Sequence, residues 1–177
     1  GIAIAVNVGD ALTLLGLRAL LDNRETLGPR LAFAVLEEAE RMARESVEGQ
    51  AIELGWRSDN ALHISDDDYL VMVLKKTCWY TTIFPLRAGA LIGGAHGVDP
   101  EQLLRFGFFL GAAFQIQDDL LNLAGDATSY GKEIGGDIWE GKRTLMLVHL
   151  LRSATASERE RLSAFLAKSR RERASDD

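Results

Sequence analysis

From Ile2 to Asp22 nearly every position is apolar or small, with Asn7 and Asp10 the only polar residues before Thr13. The pattern predicts a helix buried on most sides, in a large core or at an oligomer interface. "DNRETLGP" then breaks the chain with Gly28-Pro29. Between Pro29 and Trp56 the apolar positions Leu31, Val35, Ala39, Met42 and Ala43 repeat at helical spacing, and Glu37, Glu38, Arg41 and Arg44 form a solvated opposite face. Ser65 reads as an N-cap. Asp66, Asp67 and Asp68 fill the first turn, where acids favour the helix dipole, and Asp68 completes a capping-box pattern. That position accounts for the acidic triplet without a metal. The helix is expected to run toward Gly89 with a bend near Pro85. Asp99-Pro100 starts another, reaching about Leu123. "GDATSYGKEIGGDIWEGK" (125–142) reads as a glycine-rich polar loop, Thr144 to Leu151 as an apolar helix, and a final amphipathic helix begins near Ser157. No strand or internal repeat is evident. The fold class is all-α: long antiparallel helices joined by short loops.

Composition narrows the setting. The chain has 177 residues, 47% hydrophobic and 26% charged, which suits one globular domain with a real core. A net charge of −6 gives a nucleic-acid partner little electrostatic support. The single Cys78 excludes an intramolecular disulfide and fits a reducing compartment. No apolar run is expected to reach the roughly 18 residues of a transmembrane span, and no secretory signal is evident. The expected location is cytoplasmic. Gly1 opens directly into helix, and "SRRERASDD" resembles a loop leading toward another, so sequence is expected beyond both ends.

The candidate chemistry lies in "FQIQDDLLNLAGD". Residues three and four apart share a helix face, so Gln115, Asp118, Asp119 and Asn122 form one polar stripe among Phe108, Phe109, Leu110, Phe114, Leu120 and Leu121. Buried carboxylates need a cation, a partner or water. The stripe is either a salt-bridged face or a site for a hard cation such as Mg²⁺. Lys76-Thr77-Cys78-Trp79-Tyr80 sits mid-helix among apolar residues; Lys76 either snorkels to solvent, as Lys75 is expected to, or binds a phosphate as a point charge. Lys132 and Lys142 flank the glycine-rich segment after the acidic helix, and Asp137 ties that loop or caps a turn. Taken together, these three pieces describe a magnesium diphosphate site at the mouth of an apolar cavity, suited to a substrate with a greasy tail.

"VGDAL" at 8–12, "EGQAIEL" at 48–54, "ISDDDYLVMVLKKT" at 64–77, "FQIQDDLLN" at 114–122 and "GKEIGGDIWEGKRTL" at 131–145 come in order. In this the chain resembles the trans-isoprenyl diphosphate synthases of the polyprenyl synthetase family, especially farnesyl and geranylgeranyl types. The resemblance implies the class I terpenoid synthase helical bundle, usually homodimeric, with residues 1–177 forming the central and C-terminal part of one domain. The N-terminal helices with the first aspartate-rich motif, and the last helices, are then missing. It implies Mg²⁺ on Asp118, Asp119 and Asn122, the diphosphate on Lys76, Lys132 and Lys142, and Thr77, Tyr80 and Gln115 lining the allylic site as catalytic groups. The implied reaction ionises an allylic diphosphate, which isopentenyl diphosphate then attacks head to tail. Asn122 stands where the family has Asp, and Asp66–Asp68 do not supply the missing motif. A non-catalytic subunit acting through dimerisation is the alternative, and a terpene cyclase on the same fold is less favoured by the Gly-Lys loop.

Overall fold

The computed structural model describes residues 1–94, 97–125, 131 and 133–174. All regular structure among them is helical: α1 (Ile2–Asp22), α2 (Arg24–Leu27), α3 (Pro29–Ser58), α4 (Asp66–Val73), a π-helical segment (Leu74–Ile83), α5 (Phe84–Ile92), α6 (Pro100–Ala124), α7 (Gly136–Glu140), α8 (Leu145–Ser153) and α9 (Ala156–Ala167). α4, the π segment and α5 follow one another without a break. The π segment packs against α3 and α6, and there the core forms: Tyr69, Met72, Val73, Cys78, Trp79, Ile83 and Ala112 are buried together. Burying aliphatic side chains the size of Val73 and Ile83 contributes roughly 1.5–3 kcal/mol each.

The expected bend near Pro85 takes the form of a change in helical pitch upstream of it. Pro85 has no N–H to close the turn, and the Phe84 N–H donates to Trp79 O, five residues back. The Thr82 hydroxyl sits between two carbonyls, 2.9 Å from Cys78 O and 2.6 Å from Gly107 O. Glycines let the neighbouring helices close on this widened turn. A Cβ on Gly111 would lie 2.8 Å from Cys78 Sγ, and one on Gly107 2.7 Å from Ile83 Cγ1. π segments occur frequently at functional sites, and this one carries Lys76, Thr77 and Tyr80.

The Ser65 start signal holds. The Asp68 N–H donates to Ser65 Oγ at 3.0 Å, and the Ser65 N–H donates to Asp68 Oδ2 at 2.9 Å. Asp66 pairs with Arg152 of α8 at 2.8 Å, and Asp67 is exposed. Ser65→Ala should therefore cost about 1 kcal/mol in urea unfolding at neutral pH. The Ser65 bonds hold the Asp68 carboxyl below its ordinary range. Its share of the cap is thus complete above the unfolded carboxylate pKa and is lost as pH falls through the depressed folded value. A Ser65→Ala penalty that does not shrink on acidification through that range would refute the assignment.

Two expectations need correction. The segment 125–142 is not all loop: Gly136–Glu140 makes a short helix, set between left-handed glycines at Gly135 (φ 73°) and Gly141 (φ 66°). Within this chain α1 has no buried residue, and Ile2, Val6, Leu12 and Leu14 are all exposed. Nor does the chain lack a stretch apolar enough to span a bilayer. By length and composition Ile2–Leu27 qualifies: it runs 26 residues and holds an 18-residue window with a mean hydropathy of 1.6, where Ala and Gly scarcely dilute the aliphatic residues and few charges interrupt them. A helix covered by protein passes the same test.

Candidate functional site

α6 presents Gln115, Asp118, Asp119 and Asn122 on one face, the π segment supplies Lys76 and Thr77, and the turn after α7 supplies Lys142. Asp119 is the centre, 1% exposed. Its Oδ1 accepts from Gln115 Nε2 at 2.8 Å and from Lys142 Nζ at 2.8 Å; its Oδ2 accepts from the Tyr69 hydroxyl at 2.9 Å. Gln115 Oε1 in turn accepts from the Thr77 hydroxyl at 2.8 Å. Lys142 also reaches Asp137 Oδ2 at 3.2 Å. One hydrogen-bonded chain thus joins the π segment, α6, α4 and the Lys142 turn.

The electrostatics follow from this burial. It lowers the Lys142 ammonium, but the charges of Asp119 and Asp137 and their hydrogen bonds outweigh it and hold the group above the ordinary lysine range. Burial raises the Asp137 carboxyl against the pull of Lys142. The Tyr69 phenol is pushed far above its usual range, first by burial and then by the Asp119 charge, so it stays a donor. Lys76 is pressed below the ordinary range by burial and then by the like charge of Lys142. Its Nζ is held by Glu53, which is itself 4% exposed. Lys76 therefore does not snorkel, whereas Lys75 pairs with Glu45 and Glu48 at 2.8 and 2.7 Å.

Asn122 has both ends of its amide engaged by loop backbone. Nδ2 donates to Glu133 O at 3.1 Å, and Oδ1 accepts from Asp137 N at 3.0 Å. The side chain fastens the segment that carries Lys142. Among the described residues no three His, Cys, Asp or Glu side chains form a metal cage. Asp118 is a half-buried carboxylate of the same stripe, its charge acting on Asp137. The carboxylates of this stripe fit Mg²⁺ of the kind completed by phosphate oxygens and water, not a cation enclosed by protein. Tyr80 is exposed, as are Phe106, Phe109, Leu110 and Phe114 of α6. Lys132 lies outside the described residues.

Three residues of the cluster escaped the sequence reading. Tyr69 was not singled out, although it lies seven positions, two helical turns, before Lys76. Glu53, within "AIEL", was not singled out either. Arg143 is 1% exposed and donates to Ala61 O at 3.2 Å, Gly141 O at 2.5 Å and Asn60 Oδ1 at 2.7 Å. Burial, then the like charges of Arg173 and Arg57, lower its pKa to about 10. It pins the turn carrying Lys142 to the α3–α4 connector. A groove of about 920 Å³ lies elsewhere, around Pro29, Leu31, Leu91 and Val98, away from this cluster.

Residues 1–176 match the polyprenyl synthetase family. A short chain isoprenyl diphosphate synthase of Methanothermobacter thermautotrophicus is 34% identical over 166 residues, covering 94% of this chain and 49% of that protein. A geranylgeranyl diphosphate synthase of Sulfolobus acidocaldarius is 30% identical over 162 residues, covering 90% of this chain and 48% of that one. Among solved structures, geranylgeranyl pyrophosphate synthase from Corynebacterium glutamicum, complexed with isoprenyl diphosphate and magnesium, superposes with a TM-score of 0.81 at 28% identity, covering 95% of this chain and 47% of that one. The chain spans about half the length of the curated relatives it matches.

Proposed function

The chain belongs to the polyprenyl synthetase family, and on that premise we propose that the complete gene product is a trans-prenyltransferase. It condenses isopentenyl diphosphate head to tail with an allylic diphosphate, giving a product of the farnesyl to geranylgeranyl class. The observation that carries this is the convergence of Lys76 and Lys142 on the acidic face of α6.

Lys76 and Lys142 hold the allylic diphosphate, with Lys132 as a third ammonium. Asp118 would hold Mg²⁺, which when bound neutralises charge developing on the departing diphosphate. The lysines are fixed before the substrate arrives, so they stabilise that charge with little reorganisation. Breaking the allylic C–O bond leaves an allylic cation. Thr77 faces it as a hydroxyl whose proton is already directed at Gln115, leaving oxygen lone pairs for the cation. The Tyr80 ring offers a π face to the same charge. Phe114, one helical turn before Asp118, borders the site and helps keep water from the cation. Isopentenyl diphosphate attacks through its double bond, a C–C bond forms, and a proton is lost.

The test is incubation of the complete gene product with Mg²⁺, isopentenyl diphosphate and allylic primers of increasing length. Chain-extended diphosphates, lost on chelation, are expected; no product with any primer would sink the proposal. The exposed apolar α1 favours a second reading, a non-catalytic subunit acting through dimerisation. Under it the complete product dimerises yet extends no primer.

A further inference from the structure

We propose that Tyr69 is a positioning residue of the diphosphate site, acting through Asp119 on Lys142, Gln115 and Thr77; the ligand side of this rests on the prenyltransferase reading above. Asp119 is 1% exposed, so water cannot serve its oxygens and protein donors must. Three do so: Gln115 and Lys142 on Oδ1, and Tyr69, also 1% exposed, on Oδ2. Tyr69 is the donor that ligand binding leaves in place, because α4 and the core hold its ring while Lys142 sits on a turn.

The consequence reaches Thr77 by hydrogen-bond polarity alone. An ionised carboxylate only accepts, so Asp119 selects the NH₂ end of Gln115. The Gln115 oxygen must then face Thr77, and Thr77 must donate to it, at 2.8 Å. Each step has one allowed direction once Asp119 is fixed. Without the Tyr69 hydroxyl, Oδ2 is buried and unserved. The carboxylate then turns toward its remaining donors, draws Lys142 away from the diphosphate, and releases the Gln115 amide from its single orientation.

Tyr69→Phe in the complete gene product tests this, with two readouts. Solvent exchange of the Gln115 side-chain NH₂ protons, followed by NMR without ligand, should be at least about 10-fold faster than in the wild type, and affinity for inorganic pyrophosphate with Mg²⁺ by calorimetry should fall about 10-fold. Val148→Ala, which opens the buried core of α8, should lower the melting temperature while leaving both readouts unchanged; if it moves them equally, general loosening is the cause and the proposal falls. Unchanged Gln115 exchange in Tyr69→Phe overturns it, as does faster exchange with unaltered pyrophosphate affinity. A wild type that binds no pyrophosphate overturns the diphosphate reading itself, and the exchange rates then still decide whether Tyr69 orients Gln115.

Discussion

Alanine at Gly49 is expected to destabilise the protein by about 3 kcal/mol, the upper part of the range for overpacking, and to displace Lys76. Glycine inside a helix ordinarily costs up to about 1 kcal/mol relative to alanine, so propensity alone gives the opposite sign. Sterics decide it. A Cβ on Gly49 would lie 2.2 Å from Lys76 N, 2.7 Å from Lys76 Cα and 2.8 Å from the Lys75 carbonyl carbon. These are backbone atoms, which cannot rotate aside as a side chain does. They belong to the π segment, which Gly107 and Gly111 block on the α6 side. Either α3 and the π segment separate, exposing core around Trp79, or the wide turn shifts and carries Lys76 away from Lys142. Gly55 on the same helix is the control: a Cβ there meets nothing within 4 Å, so Gly55→Ala should be neutral or stabilising by about 0.5–1 kcal/mol. Urea unfolding of both variants compares them directly. A Gly49→Ala protein as stable as the wild type would remove the clamp from the account of this site.

The helix starts were legible because local chemistry makes them. Pro29, Ser65, Asp99-Pro100 and Thr144 each open a helix where the sequence places them. The π segment was not legible. It depends on glycines 24 or more residues away in the chain letting the backbones close, and Pro85 alone signals only a local irregularity. The exposure of α1 was equally hidden, because apolar periodicity says that a face must be covered and not by what. The polar stripe on α6 could be located from spacing, but the division of labour within it could not. Asp119 and Asn122 owe their engagement to Tyr69, fifty residues upstream, and to the backbone of 133–137. Spacing treats neighbouring carboxylates as equivalent; the burial of one and the half-burial of the other make them different groups.

That difference sets the second large effect. Asp118→Ala is expected to reduce turnover of the complete gene product on the order of 10²–10³-fold, the scale of losing one electrostatic contact to the developing charge, with little change in urea midpoint. Asp119→Ala should instead destabilise by about 3 kcal/mol, the lower end for breaking a buried ion pair. The lower end applies because Lys142 retains Asp137 at 3.2 Å. Turnover falls with Asp119→Ala too, but it falls together with the orientation of Gln115 and Lys142, so pyrophosphate affinity and stability move with it. The measurement is turnover per folded molecule beside urea unfolding for both variants. If Asp119→Ala were as stable as the wild type and lost only turnover, Asp119 would be a cation ligand and its three donors incidental. If Asp118→Ala lost stability instead, the two carboxylates would have to exchange roles. Two adjacent acids of one charge and one helix can differ this much because Asp119 is buried and anchors three donors that lose their partner with it, while Asp118 is half-buried, nearer the surface where a diphosphate arrives.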